Sequence, residues 1–445
     1  MRLSGVGNLK LMARQSGVPQ VYSTHSNTRG KCLSVSAKSF LISAAVFGLV
    51  LLAFRHATSS WLDTSWPIGV VFIHRIALAS IGIALALVVF YLPLSKLALP
   101  TLILMAWAMF CAVAKVEVDY RLPALEIGLA ASFLMISLDG IGAMARFIRA
   151  IPALVCMFSL VSALLILNYE LQSGGVIDRL GFRLGLDLAA SGVGSPSDGL
   201  LVNPNEIALP IALSSVALFS QDLAASGWAI RWGRLFLVAV SVVMLVLAQS
   251  RGMLIAFALG VFAASLFGAW RRACHLCILL AIGGLIACAA FRVDPLSFDL
   301  VNRFGSQDTT LATFGDRSEV WESSIMRCIH EPIFGQSRVS VDAREIQVSP
   351  HNALLGSAEL AGAVGALLLT WLYLQPLVLS ARSRLVLTGT LVGLIVSSMS
   401  MDTLPRPVFW IIYASCLVEI SHYRPRQGLQ TPGTSSFPGL VGSFK

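Results

Sequence analysis

Three residues stand out for the chemistry they could do. Arg251, in Ser250-Arg251-Gly252, interrupts an apolar stretch from Leu235 to Ala269. Arg317 follows Gly315-Asp316 at the head of a short helical pattern, and His351 stands after Pro350, directly before another apolar run. A guanidinium keeps its charge and can grip phosphate oxygens in bidentate fashion, stabilising the negative charge that builds on a departing pyrophosphate. An imidazole titrates near neutrality and can take the proton from an attacking alcohol. Together they suit a transfer reaction with a pyrophosphate leaving group and a hydroxyl nucleophile. Taken singly, each has a plainer reading. Arg251 could be a loop arginine snorkelling to head groups, Arg317 a surface partner of Asp316 or Glu319, and His351 a helix-start residue bonded to backbone.

Positioning these groups falls to an apolar frame. Apolar residues make up 56% of the 445, and charged ones only 12%. That balance, with long hydrophobic runs along most of the chain, predicts an all-α, polytopic integral membrane protein. A strand reading fails, because the runs lack two-residue alternation and open strands leave backbone groups unsatisfied in lipid. About twelve transmembrane helices are expected: Phe40–Phe54, Ile76–Leu94, Leu97–Ala114, Leu122–Leu138, Ile151–Leu167, Asn205–Ser220, Leu235–Ala248, Met253–Ala269, Cys274–Phe291, Ala353–Leu374, Leu385–Met399 and Val408–Ile420. The chain then divides into a cytoplasmic tail over 1–39, nine spans over 40–291 with an extracytoplasmic loop at 168–202, a large extracytoplasmic loop over 292–352, three spans over 353–420, and a disordered cytoplasmic tail over 421–445.

Orientation follows from the basic residues, which stay on the cytoplasmic side of short loops. With the N-terminus inside, Lys38, Lys96, Arg146, Arg149, Arg231, Arg234, Arg271, Arg272, Arg382 and Arg384 all fall inside, with little acidic company beyond Asp139, Asp222 and Glu419. Both termini are then cytoplasmic, and Arg251, Arg317 and His351 share the outer side. The net charge of +9 thus reads as membrane topology and not nucleic-acid binding, since the positive residues are scattered over short loops. Residues before Phe40 are polar and basic and read as a tail, not a cleaved signal.

Within the large loop, Val320, Trp321, Ile325, Cys328 and Ile329 recur at helical spacing until Pro332 stops the pattern. An amphipathic helix on the outer membrane face or against the bundle is expected there. Cys111, Cys156, Cys288 and Cys416 sit in apolar spans as small hydrophobes. Cys274 and Cys277 form one Cys-x-x-Cys without the second ligand pair a zinc site would want.

On Asn203-Pro204-Asn205-Glu206, Ser250-Arg251-Gly252, Asp316-Arg317-Ser318 followed by Trp321, His330-Glu331-Pro332-Ile333-Phe334-Gly335, and His351-Asn352 leading into Glu359-Leu360-Ala361-Gly362, the chain resembles the O-antigen ligase and O-antigen polymerase superfamily of bacterial membrane glycosyltransferases. The resemblance covers roughly Asn203–Leu374. It implies an inner-membrane enzyme without metal or other cofactor, its active site facing the periplasm. The implied donor is a glycan on undecaprenyl pyrophosphate. The implied acceptor is a lipid A core sugar in a ligase, or a second lipid-linked saccharide in a polymerase, and polysaccharide assembly proteins are possible partners. By position, Arg251 and Arg317 would hold the pyrophosphate and His351 would be the general base. Asn352 could orient that histidine or cap the following helix, and Asn205 and Glu206 would support the site. Direct displacement would invert the anomeric configuration.

A secondary transporter is the rival from another class, because about twelve spans with cytoplasmic termini is also a transporter layout. Against it stand the absence of two-half symmetry and the scarcity of mid-membrane ionisable residues beyond Glu126 and Glu359. A non-catalytic member of a polysaccharide export complex is a third reading.

Overall fold

A computed structural model describes residues 35–58, 67–92, 95–114, 121–139, 141–172, 204–221, 227–248, 250–291, 320–335, 352–383, 387–401 and 403–421. These residues are helical, with no strand among them, as the composition requires. In chain order the helices are α1 (Val35–Ala57), α2 (Pro67–Tyr91), α3 (Leu99–Ala114), α4 (Arg121–Ser137), α5 (Gly142–Gln172), α6 (Pro204–Ser220), α7 (Trp228–Ala248), α8 (Arg251–Ala264) and α9 (Trp270–Phe291). They continue with α10 (320–330), α11 (Ala353–Ser383), α12 (Thr388–Ser400) and α13 (Pro407–Ser421).

Each expected span falls on a helix, and most helices outrun the apolar segment that announced them. α2 begins at Pro67, where a proline fits the first helical turn because its missing N–H would be unpaired there anyway. α5 runs 31 residues through Pro152. Among the described residues, five helices are long and apolar enough to cross a membrane: those over Ser36–Ala57, Val71–Tyr91, Met144–Ile166, Trp228–Ala248 and Ala353–Val378. α3, α6, α8, α12 and α13 are shorter apolar helices.

One expected loop is replaced by helix. No turn separates Met253–Ala269 from Cys274–Phe291: α8 passes through one π-helical turn, Ser265–Ala269, directly into α9, whose first turn holds residues 270–273. No proline stands between them to stop the helix, so Arg271 and Arg272 lie on the first turn of α9 instead of in a loop. The expected outer loop at 168–202 likewise starts as the last turn of α5, α1 begins at Val35 inside the expected N-terminal tail, and the remainder of that loop, residues 1–34 and residues 422–445 lie outside the described residues.

α13 is the axis of the bundle, buried from Pro407 to Ile420 and packed against α4, α5, α1 and α6. Trp410 sits within it at full burial, donating its indole N–H to the Leu404 carbonyl and accepting the Ser132 hydroxyl of α4 on its own carbonyl. α8 lies on α12 through Gly260 and Gly389, where a Cβ on either would press on the other's carbonyl oxygen, the small-residue contact by which helices approach closely in lipid. The outer flanks are apolar, with Phe90, Val113, Phe262 and Trp371 exposed. In a bundle surrounded by hydrocarbon such side chains are solvated by lipid tails.

Candidate functional site

Arg251 is the first residue of α8. Its predecessor Ser250 is the helix N-cap in extended backbone, yet the Ser250 side chain makes no capping bond. The hydroxyl instead donates to Asn205 Oδ1 at 2.7 Å, tying the head of α8 to the start of α6. One residue on, Glu206 accepts a charge-assisted hydrogen bond from Arg406 Nη2 at 2.6 Å, tying α6 to the turn before α13. On the other side of Arg251, Gly252 lies so close to Ser400 at the end of α12 that a Cβ there would overlap its side chain. Arg251 is thus seated, partly exposed, on three anchored helix ends. His56, Glu206 and Arg406 line a cavity of about 20 Å³ beside this seat, room for little more than one water.

The expected amphipathic helix is α10, and it docks by only part of its apolar face, with polar residues completing the contact. Ser324 is fully buried, and Trp321, Arg327 and Cys328 are half-buried, while Ile325, Met326 and Ile329 point outward. Docking rests on an ion triad. Glu359 of α11 is completely buried and receives Arg327 Nη2 of α10 at 2.6 Å on one oxygen and Arg121 Nη2 of α4 at 3.4 Å on the other. Arg121 is itself 1% exposed. Two charges in such surroundings are costly unless paired, and losing one partner typically costs about 3–5 kcal/mol. The Cys328 thiol feels the same group: partial burial, then the charge of Glu359, pushes it up from the ordinary thiol value against the opposing pull of Arg327.

The segment after α10 inserts into a break in α11. Ala361 and Gly362 leave helical geometry, Gly362 at φ +67°, in the left-handed region that a Cβ disfavours. The gap is filled by Pro332-Ile333-Phe334-Gly335: the Ala363 N–H donates to the Pro332 carbonyl at 2.7 Å, and Gly335, at φ +72°, packs on the Glu359 carbonyl. Trp107 of α3 completes the joint, donating its indole N–H to the Ala361 carbonyl at 2.8 Å and stacking on Phe334 with ring centroids 6.1 Å apart. The two motifs His330–Gly335 and Glu359–Gly362, separate in sequence, are therefore one structure.

Asn352 caps α11. Its Oδ1 accepts the Leu354 N–H at 3.0 Å and the Leu355 N–H at 3.3 Å, which is the cap the sequence offered as one of its two roles. Its neighbour His351 and the partner arginine Arg317 lie outside the described residues. The structure brings Arg251, Asn205 and Glu206 to one seat, and it fixes the helices adjoining the other two positions: α10 begins three residues after Arg317, and α11 begins two residues after His351. Sequence reading missed Arg121, Arg327, Arg406 and Trp107. A fully apolar setting for Glu359 was the available signal, since a carboxylate there needs a cation.

A helical membrane bundle that gathers anchored basic residues at one end defines the general class. Residues 236–357 match the family model described as O-antigen ligase, and the match supports membership of the O-antigen ligase and polymerase superfamily. The matched span runs from α7 to the second turn of α11 and contains Arg251, Arg317 and His351. No curated protein matches the chain.

Proposed function

We propose that the chain is a glycosyltransferase of the O-antigen ligase type in the bacterial inner membrane, moving a glycan from undecaprenyl pyrophosphate to an acceptor hydroxyl at the periplasmic face. The observation that carries this reading is that the matched family segment contains all three candidate reactive residues. Arg251 and Arg317 hold the pyrophosphate and take up its growing negative charge, without recourse to a metal ion. His351 removes the acceptor proton as the hydroxyl oxygen attacks the anomeric carbon from the side opposite the leaving pyrophosphate. One C–O bond forms, one breaks, and the configuration inverts.

Support comes from the way the fold treats the flanking elements. Arg251 is flanked by Ser250, bonded to Asn205 of α6, and by Gly252, packed on α12; Asn352 fixes the start of α11, and the Glu359 triad holds α10 against α4 and α11. Such rigid seating is what a reaction dependent on orientation needs, since geometric misplacement of about 1 Å can cost a hundredfold in rate. The lipid chain of the donor lies along the apolar flank, and the bilayer is thus part of the substrate site.

Deleting the gene and profiling the glycans tests this. Long carrier-linked chains that never reach the surface acceptor support the ligase, whereas single repeat units stranded on the carrier indicate a polymerase with the same chemistry and a different acceptor. Unchanged lipid-linked glycans in a strain shown to have expressed the chain contradict both.

A further inference from the structure

We propose that the end of the bundle opposite Arg251 binds the phosphate-bearing headgroup of an anionic phospholipid, between the end of α6 and the starts of α7 and α9. The site is independent of the glycan-transfer reading. α7 is 21 residues long, so about 30 Å of helix separates its first turn from the Arg251 seat.

A cavity of about 370 Å³ opens there, within the range of small-ligand sites. Arg231, Arg234, Arg271, Arg272 and His275 line it, and no carboxylate is among its described lining residues. Two of the guanidiniums are already fixed. Arg272 Nη1 donates to the carbonyls of Phe219 and Gln221 at 2.6 and 2.7 Å, satisfying acceptors that the end of α6 leaves without helical partners. Arg234 Nη1 donates to Gln221 Oε1 at 3.0 Å, and Gln221 in turn donates to the Arg149 carbonyl at 2.9 Å. Positive charge is therefore ordered before an anion arrives, which lowers the entropic cost of binding it. The π-helical turn Ser265–Ala269 sets this arrangement, bringing Arg271 and Arg272 to the cavity without a loop. Single π turns recur at functional sites.

Two features favour a lipid over free phosphate. Leu235 and Val238 give the cavity an apolar wall continuous with the flank of α7. Trp228 and Trp270 stand exposed at its level, with Trp232 in ring contact with His275 at 5.5 Å. Tryptophan gathers at head-group depth, and basic pockets between helix ends take anionic headgroups there.

Native mass spectrometry of the full chain in neutral detergent tests the site, with phosphatidylglycerol and phosphatidylcholine of equal acyl length as probes. Phosphatidylglycerol is expected to be retained preferentially. The Arg231→Gln, Arg271→Gln double variant is expected to weaken that retention roughly thirtyfold, as for two basic groups removed at a lipid surface. Neither arginine belongs to the proposed reaction site; unfolding at the parent's temperature serves as the folding control for this variant, and Arg231→Lys, Arg271→Lys should keep the lipid. Equal retention of the two lipids, full binding by the Gln variant, or displacement of phosphatidylglycerol by excess inorganic phosphate would each overturn the proposal, the last by identifying a soluble phosphate site.

Discussion

Replacing Glu359 by Gln keeps the side chain's size but withdraws the negative charge that faces Arg121 and Arg327 and turns one of the two accepting oxygens into an amide donor facing a guanidinium. Arg121 is buried and cannot turn to water, so it bears most of the consequence. Arg327, with its side chain 31% exposed, can recover some solvation and counts for less. Breaking a buried ion pair by removing one partner costs about 3–5 kcal/mol. At the lower bound, and with about 2 °C per kcal/mol for a large chain, the apparent melting temperature should fall by roughly 6 °C. Fluorescence-monitored unfolding in detergent measures this, and limited proteolysis should show 320–335 cut first, because α10 loses its tie to α11. The Glu359→Gln, Arg121→Met double variant removes the Arg121 charge together with its Glu359 counter-charge and should regain part of the loss, with a coupling of roughly 1–3 kcal/mol between the two sites. Additive losses, or a Glu359→Gln chain as stable as the parent, would refute the triad as the element that docks α10.

Other consequences are narrower. Gly362→Ala puts a Cβ onto the Ile333 carbonyl in left-handed backbone, so it should unseat Pro332–Gly335 and lower both expression and transfer; equal yield and equal activity in a membrane assay would contradict the joint. Asn352→Ala removes the α11 cap and should cost about 1 kcal/mol in thermal unfolding, with Asn352→Asp close to the parent. Because folding raises the Cys328 thiol value, the folded state holds that proton longer than the unfolded chain does, and stability is lost as pH rises past the ordinary thiol value through the folded one. Mass-mapped alkylation should accordingly label exposed Cys277 before Cys328, with the Cys328 rate climbing only at higher pH.

The helices were legible because lipid imposes a simple rule, that apolar runs become helices, and every expected span fell on one. The α10 pattern was equally readable up to Pro332, yet its docking face was not. Apolar spacing marked Val320, Trp321, Ile325, Cys328 and Ile329; Val320, Trp321 and Cys328 are part-buried, Ile325 and Ile329 face outward, and Ser324 and Arg327 add the polar contact, since an ion pair to buried Glu359 fixes the helix. Arg121 and Glu359 stand 238 residues apart, and nothing local marks such a pair. The break at Ala361-Gly362 was hidden for the same reason, being stabilised by Pro332 and Trp107 from elsewhere in the chain. At the reactive end, residue chemistry named Arg251, and the structure supplied its seat.

Reconstituted transfer tests the central claim most directly. Purified chain in proteoliposomes, given a glycan on undecaprenyl pyrophosphate and a hydroxyl acceptor, should release pyrophosphate-linked carrier and form the new glycosidic bond. Arg251→Ala, Arg317→Ala and His351→Ala should each abolish that product while unfolding at the parent's temperature. Substrate crossing the bilayer with its linkage intact, or full transfer by His351→Ala, would contradict the account.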